Sequence, residues 1–263
     1  MKSVLLLLIM AVFFVSCKDD DEIQFPPELD QIIAKLDSSF DSLNVDMAAN
    51  AAAIAADASD PANIRNRMLD LFEGSSFVLE FAFITPQGIM EIVEPEVYHY
   101  IEGSDISQQD HIVKGYQTKT PVLSETFDAV EGFNASVCFH PCVNSGAVVG
   151  GITSLFQAHT IIGRTVNPLV AGQTFEVWVM EKGGKVLFDQ DGDEIGLNVL
   201  TDDLYQDFPE LIEAAKLIDR GMSGETQYSF FQTGTNTTVT KKTYWKTFEL
   251  YGTQWKIIWV KPI

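Results

Sequence analysis

The stretch FVLEFAFITPQGIMEIV, residues 77–93, decides the fold. Phe77 to Ile84 is a short apolar and aromatic run. Thr85-Pro86-Gln87-Gly88 puts proline and glycine where a tight reversal wants them, and Ile89 to Val93 returns as a second strand. A pair joined this closely is antiparallel. Beyond it the pattern predicts a loop and short-helix region over 94–120, strands over 122–127, 133–140 and 147–155, and a helix from about 156 to 169. The same order then recurs: a strand over 174–181, a turn at Gly183-Gly184, a strand over 185–188, an acidic loop over 189–198, and a helix over 203–220 closed by Gly221. Strands over 225–232, 237–250 and 254–261 complete it. Each half reads strand, turn, strand, helical insertion, three strands, which is an internal structural repeat. The expected class is α+β, two modules that each carry an antiparallel sheet with helices.

Upstream, Leu29, Ile32, Ile33, Leu36, Phe40, Leu43, Met47, Ala51 and Ile54 recur at steps of three and four, predicting one amphipathic helix over about 27–57. Asp60-Pro61 supplies an N-cap and a first-turn proline for a second helix that ends near Gly74. Before these, Met1-Lys2 and the apolar run from Val4 to Val15 have the parts of a secretory signal peptide, too short to span a bilayer. Val15-Ser16-Cys17 resembles a lipobox. Lys18-Asp19-Asp20-Asp21-Glu22 resembles the acidic surface-export tether of Bacteroidetes lipoproteins. The expected division is a signal peptide over 1–16, a lipid-anchored acidic tether over 17–26, the long helix plus first module over 27–156, and the second module over 157–263. Acylated Cys17 would hold the chain outside the cytoplasm, at the cell membrane or outer membrane.

With 46% hydrophobic and 21% charged residues the chain has the composition of a globular protein and not of a disordered one. Its formal net charge of −20 repels polyanions, so no nucleic acid is expected as a partner. Cys138, His140 and Cys142 alternate on one face of a predicted strand, and the pattern admits a buried thiol pair, a disulfide if Pro141 bends the chain, or a soft-metal site. Three ligands fall short of a closed zinc site, and no metal is expected. The loop from Asp189 to Glu194 invites a calcium reading, but its glycine is misplaced for an EF-hand and Leu200 stands at the twelfth position. No nucleophile elbow, metalloprotease helix, phosphate loop or dinucleotide glycine run occurs, so neither catalysis nor a cofactor is expected.

These elements, in order and spacing, resemble the double Cache family of extracellular, PAS-like sensor domains. The residues that carry the resemblance are the long first helix, Thr85 to Met90, Glu102-Gly103-Ser104-Asp105-Ile106-Ser107, Pro121 to Ser124 and Glu131-Gly132-Phe133 in the first half. In the second half they are Trp178-Val179-Met180, Gly184 to Asp189, Glu194-Ile195-Gly196, Leu204-Tyr205, Tyr244-Trp245 and Trp255 to Ile258. The resemblance implies a small ligand in the first, membrane-distal module, a membrane-proximal second module, and a transmembrane sensor kinase or chemoreceptor as partner. The Arg-x-Trp-Tyr cluster of the amino-acid-binding group is missing, which argues against the amino-acid ligand of that group.

For the ligand, Tyr98, Tyr100, Asp105 and His111 lie in the first insertion and offer donors and acceptors to a small polar molecule. His99 lies among them. Trp178, Tyr228, Lys242 and Trp245 are the second-module candidates. The functional expectation is a lipid-anchored sensor of a small metabolite. The alternative is a non-catalytic envelope protein that uses the scaffold to dock a partner.

Overall fold

The computed structural model describes residues 23–263. The signal peptide, Cys17 and most of the 17–26 tether lie outside the described residues.

Helix α1 (Pro27–Ala56) follows Pro26 and buries one stripe from Leu29 through Phe40 to Ile54. At 1.5 Å per residue it is about 45 Å long, enough to run beside both modules. Helix α2 (Pro61–Gly74) starts at Asp60, whose carboxylate accepts the Ala62 and Asn63 N–H groups at 3.0 and 3.2 Å.

The first sheet contains β1 (Glu80–Ile84), β2 (Met90–Glu94), β3 (Val122–Leu123), β4 (Phe127–Asp128), β5 (Asn134–Asn144) and β6 (Ala147–Phe156), in the order β2-β1-β6-β5-β3 with β4 also on β5. A short 3₁₀ turn, Glu96–Ile101, and α3 (Asp110–Thr118) form the insertion. Helix α4 (Ala158–Val170) leads to the second sheet: β7 (Glu176–Glu181), β8 (Val186–Phe188), β9 (Ser223–Phe231), β10 (Thr238–Leu250) and β11 (Thr253–Pro262), ordered β8-β7-β11-β10-β9. In both sheets the first strand lies between the second and the last, so the repeat read from the sequence is a repeat of topology.

Two details differ from expectation. The strand expected over 122–127 is interrupted, giving the first sheet six strands instead of five. Thr126 turns away to donate its backbone N–H and hydroxyl to Glu181 of the second sheet, both at 3.0 Å. The helix expected over 203–220 is a 3₁₀ turn, Asp203–Tyr205, followed by α5 (Pro209–Arg220). Phe208 precedes a proline and is pushed out of the helical region, to φ −120° and ψ 68°.

Alternation along the strands gives each sheet two apolar faces. In β7, Val177 and Val179 face α1, and Trp178 and Met180 face the insertion. One central core therefore joins α1, α4 and one face of each sheet. Two smaller cores fill the spaces between each sheet and its insertion. Cys138 and Cys142 are free thiols in the central core, and burial pushes the Cys142 thiol up to about 12. His140 donates its Nε2–H to the Asn44 Oδ1 of α1 at 3.2 Å instead of joining them.

Candidate functional site

In the first module a cavity of about 270 Å³ lies between the sheet and the insertion, with about 20 Å³ in which the centre of a water molecule fits. That is room for about one water. Glu80 of β1, Glu131, Gln109, His111 and Thr153 are its polar lining, and Ile106 and Phe127 are among the apolar residues. Glu80 is only 1% exposed. One carboxyl oxygen of Glu80 and one of Glu131 are buried and accept no N–H or O–H from any other group among the described residues. Burial, and then the hydrogen bond and charge of Glu131, raise the Glu80 carboxyl well above the usual carboxylate range, so Glu80 keeps its proton at neutral pH. Burial alone depresses His111 to about 4, which keeps its ring neutral.

His111 stacks at a tilt on Phe127, centroids 5.3 Å apart. These two residues and Gln109 also line an outer groove of about 960 Å³ that reaches Thr253 on the second sheet. The groove thus adjoins the inner cavity at these residues.

Of the first-module candidates, His111 is in the cavity wall. Tyr98 stands beside it, its hydroxyl pKa raised by burial and then by Glu80. Tyr100 is 68% exposed, and its hydroxyl donates weakly to the Glu131 carbonyl at 3.5 Å. Asp105 is on the surface and accepts the Ser107 N–H at 2.9 Å, a turn role that keeps it out of the cavity. His99 lies apart, against Glu94 at 3.1 Å. Glu94 also receives Arg65 at 2.6 Å, and the other guanidinium nitrogen donates to Glu102 at 2.7 Å. That network ties α2 to the insertion. Glu80 and Glu131 were missed in the sequence, although a single acid inside the apolar run FVLEFAFI was a legible signal.

The second module has its own cavity, about 420 Å³ with a water-sized interior of about 20 Å³. Trp178 and Tyr228 both line it, and the indole N–H donates to the phenol oxygen at 3.1 Å. Lys242 and Trp245 do not. Lys242 is on the opposite face of β10 and pairs with Glu225 at 2.9 Å. The lysine that enters is Lys241, held by Glu176 at 2.8 Å. Trp245 shares the face of Lys241 but lies over Gly221 and Gly224, where a Cβ on Gly224 would stand 2.4 Å from its ring. Asp189 and Glu194 complete the polar wall. In the same loop Asp189 accepts the Asp191 N–H at 2.8 Å and Asp191 the Asp193 N–H at 3.2 Å, so these carboxylates also serve the turn. Among the described residues no group of three or more His, Cys, Asp or Glu side chains is placed to hold a metal.

Among the described residues no helix is long and apolar enough to cross a membrane. Residues 38–158 match the family model described as HK/GC/Chemotaxis protein-like, sensor domain. No curated protein matches the chain. Among solved structures it is similar to an extracellular ligand binding receptor from Desulfohalobium retbaense DSM5692, at 23% identity and TM-score 0.76. That match covers 91% of this chain and 40% of the receptor, so the chain spans well under half of that protein. It is also similar to the ligand-binding domain of the Pseudomonas aeruginosa PAO1 amino acid chemoreceptor PctC in complex with GABA, at 14% identity and TM-score 0.65, covering 89% of this chain and 96% of that one. For the ligand-binding domain of the Pseudomonas fluorescens chemoreceptor CtaA in complex with L-alanine the values are 14% and 0.62, covering 90% and 94%. The segment 38–158 is matched by a sensor-domain family, and the chain as described has the double Cache fold of ligand-binding domains.

Proposed function

We propose that this chain is an extracytoplasmic, lipid-anchored sensor that takes up a small metabolite in the first module and passes its occupancy to a membrane partner such as a sensor kinase or chemoreceptor. The observation that carries the reading is Glu80: a carboxyl 1% exposed whose partner is a second carboxyl, Glu131, in the wall of a cavity that adjoins the outer groove at His111 and Phe127. A second carboxyl is a poor partner for a buried one, because both cannot ionise side by side, and a ligand cation is the partner that would explain the pair's place. A protonated Glu80 beside Glu131 suits a protonated base, whose positive charge replaces the Glu80 proton. Domains of this fold have been solved with GABA and with L-alanine, both of which carry an ammonium group. The cavity has room for about one water, so uptake requires His111 and Phe127 to part and the insertion to move outward. Occupancy thereby selects between two arrangements, the condition for signalling by population shift.

Thermal-shift screening of the full chain against amines, carboxylates, purines and peptides tests the reading. The expected result is stabilisation by an amine-bearing compound, lost in Glu80→Gln. Melting unchanged across the whole set at millimolar concentration would count against it. Acylation is tested separately, by fatty-acid labelling of the chain and of Cys17→Ser, which is expected to lose both label and membrane association.

The second reading, an envelope protein that docks a partner through this scaffold without a ligand, is favoured by the small interior of both cavities. A partner that remains bound to the Glu80→Gln chain would support it.

A further inference from the structure

The second cavity is distinct from the first: it lies between the other sheet and the other insertion, and the two share no residue. It is a charged, aromatic chamber. Its one lysine, Lys241, has a side chain only 5% exposed and is already neutralised by Glu176 at 2.8 Å. Two more carboxyls, Asp189 and Glu194, face the same space. Glu194 receives the Tyr205 hydroxyl at 2.9 Å, which leaves its other oxygen free. One oxygen of Asp189 accepts the Asp191 N–H, and the other accepts no hydrogen bond among the described residues. An anion entering here would meet three carboxyls and a lysine that is engaged. A cation would meet two open acceptors and the faces of aromatic rings, which attract positive charge.

A second observation narrows the chemistry. Tyr228 is 3% exposed and lines the cavity. Its oxygen is used as acceptor by Trp178 at 3.1 Å, and its own O–H finds no acceptor among the described residues. A buried hydroxyl whose proton is unclaimed costs free energy comparable to a lost hydrogen bond. A guest that answers both demands carries an ammonium at one end and an oxygen acceptor close by.

We infer that the second module holds its own ligand site, between Asp189, Glu194 and Tyr228, for a small primary amine bearing a hydroxyl or carbonyl oxygen, which the insertion over 189–220 admits by moving outward, since the cavity has room for about one water. The chain is then a two-site receptor, with one cavity in each module.

Binding at this site is coupled to a proton. Asp189 is pushed up to about 8, first by burial and then by Glu194, with Glu176 adding to the rise and Lys241 and the Asp191 N–H opposing it. Tyr205 and Tyr228, the other ionisable groups facing it, have hydroxyls raised by burial and then by these acidic groups, and stay neutral. At neutral pH Asp189 is therefore largely protonated, and an ammonium that pairs with it expels that proton. Affinity should rise with pH, by close to ten-fold per unit below about 8 if one proton leaves per guest.

Titration calorimetry of the full chain with ethanolamine, ethylamine and acetate, at pH 6.5 and 8.5 and in buffers of differing ionisation heat, tests the inference. Ethanolamine is expected to bind, more tightly at pH 8.5, with proton release, and more tightly than ethylamine. Asp189→Asn, which keeps size and shape, is expected to weaken it roughly ten-fold or more and to flatten the pH dependence. Tyr228→Phe is expected to reduce ethanolamine to the affinity of ethylamine. Acetate preferred over both amines, no amine bound by the wild-type chain at either pH, or ethanolamine bound unchanged by Asp189→Asn would each overturn the inference. The last outcome, combined with loss in Glu80→Gln, would place the amine in the first module and leave the proposed function standing.

Discussion

The Phe40 ring of α1 meets the Trp255 indole of β11 edge to face, with centroids 5.7 Å apart and planes at 71°. Phe40 is also 5.7 Å from Phe77, 5.5 Å from Phe156 and 5.6 Å from Phe248. Phe77 and Phe156 belong to the first half of the chain, Phe248 and Trp255 to the second. One side chain of the long helix is therefore the packing centre through which the two sheets are joined.

Phe40→Ala is expected to cost about 3–5 kcal/mol, the range for deleting a buried aromatic side chain. Because the cavity it leaves lies between the two halves, urea unfolding followed by tryptophan fluorescence should also lose cooperativity. All four tryptophans lie in the second half, so a fluorescence transition that separates from the circular-dichroism transition would show the second module melting on its own. A single, unshifted transition would mean that the ring cluster does not join the halves.

Glu80 has a folded-state pKa raised above its unfolded value, so the stability it contributes is present at acid pH and is lost as pH rises through the upper value. Glu80→Gln removes that dependence. The variant is expected to melt higher than the wild type at pH 8, by an amount corresponding to about 1–3 kcal/mol, and to match it near pH 4. A variant less stable than the wild type at pH 8 would show that the carboxylate is paired in the folded chain.

Burial holds His111 and His140 at about 4, below the ordinary histidine value of 6.5. Here the folded state resists protonation, so stability falls as pH drops from about 6.5 towards 4. Each ring accounts for up to about 3 kcal/mol of that loss, at 1.36 kcal/mol per pKa unit. Chemical denaturation of His140→Asn at pH 7 and pH 4.5 should show a smaller difference between the two conditions than the wild type, and equal differences would contradict the assignment.

Neighbouring lysines on β10 should behave oppositely. Lys241→Met leaves Glu176 without its partner in a largely closed site and is expected to cost about 3–5 kcal/mol. Lys242→Met removes an exposed pair with Glu225 and should change stability by less than about 1 kcal/mol. Urea midpoints of the two variants compare them directly.

The elements were legible where local chemistry acts alone. The stripe from Leu29 to Ile54 predicted α1 to within a residue, and Asp60 and Pro61 marked the start of α2 because capping needs only neighbours in sequence. The strand, turn and strand of residues 77–93 and the recurrence of that order in the second half gave the two-sheet plan. The break at Pro209 is equally local, set by the proline ring's clash with the backbone of Phe208. At Lys241 and Lys242 the two-residue period of a strand placed the side chains on opposite faces. It gave no means of telling which face the insertion of residues 189–220 would cover.

Sequence alone determined the class, the order of elements and the acidic character of this protein, because periodicity, capping and charge are properties of short stretches of chain. Only the tertiary structure decided where a ligand could sit. Glu80 meets Glu131, and Asp189 meets Lys241 and Tyr228, across separations of about 40 to 50 residues. Those meetings follow from how each insertion settles on its sheet, a balance of many small packing contacts spread over the whole module.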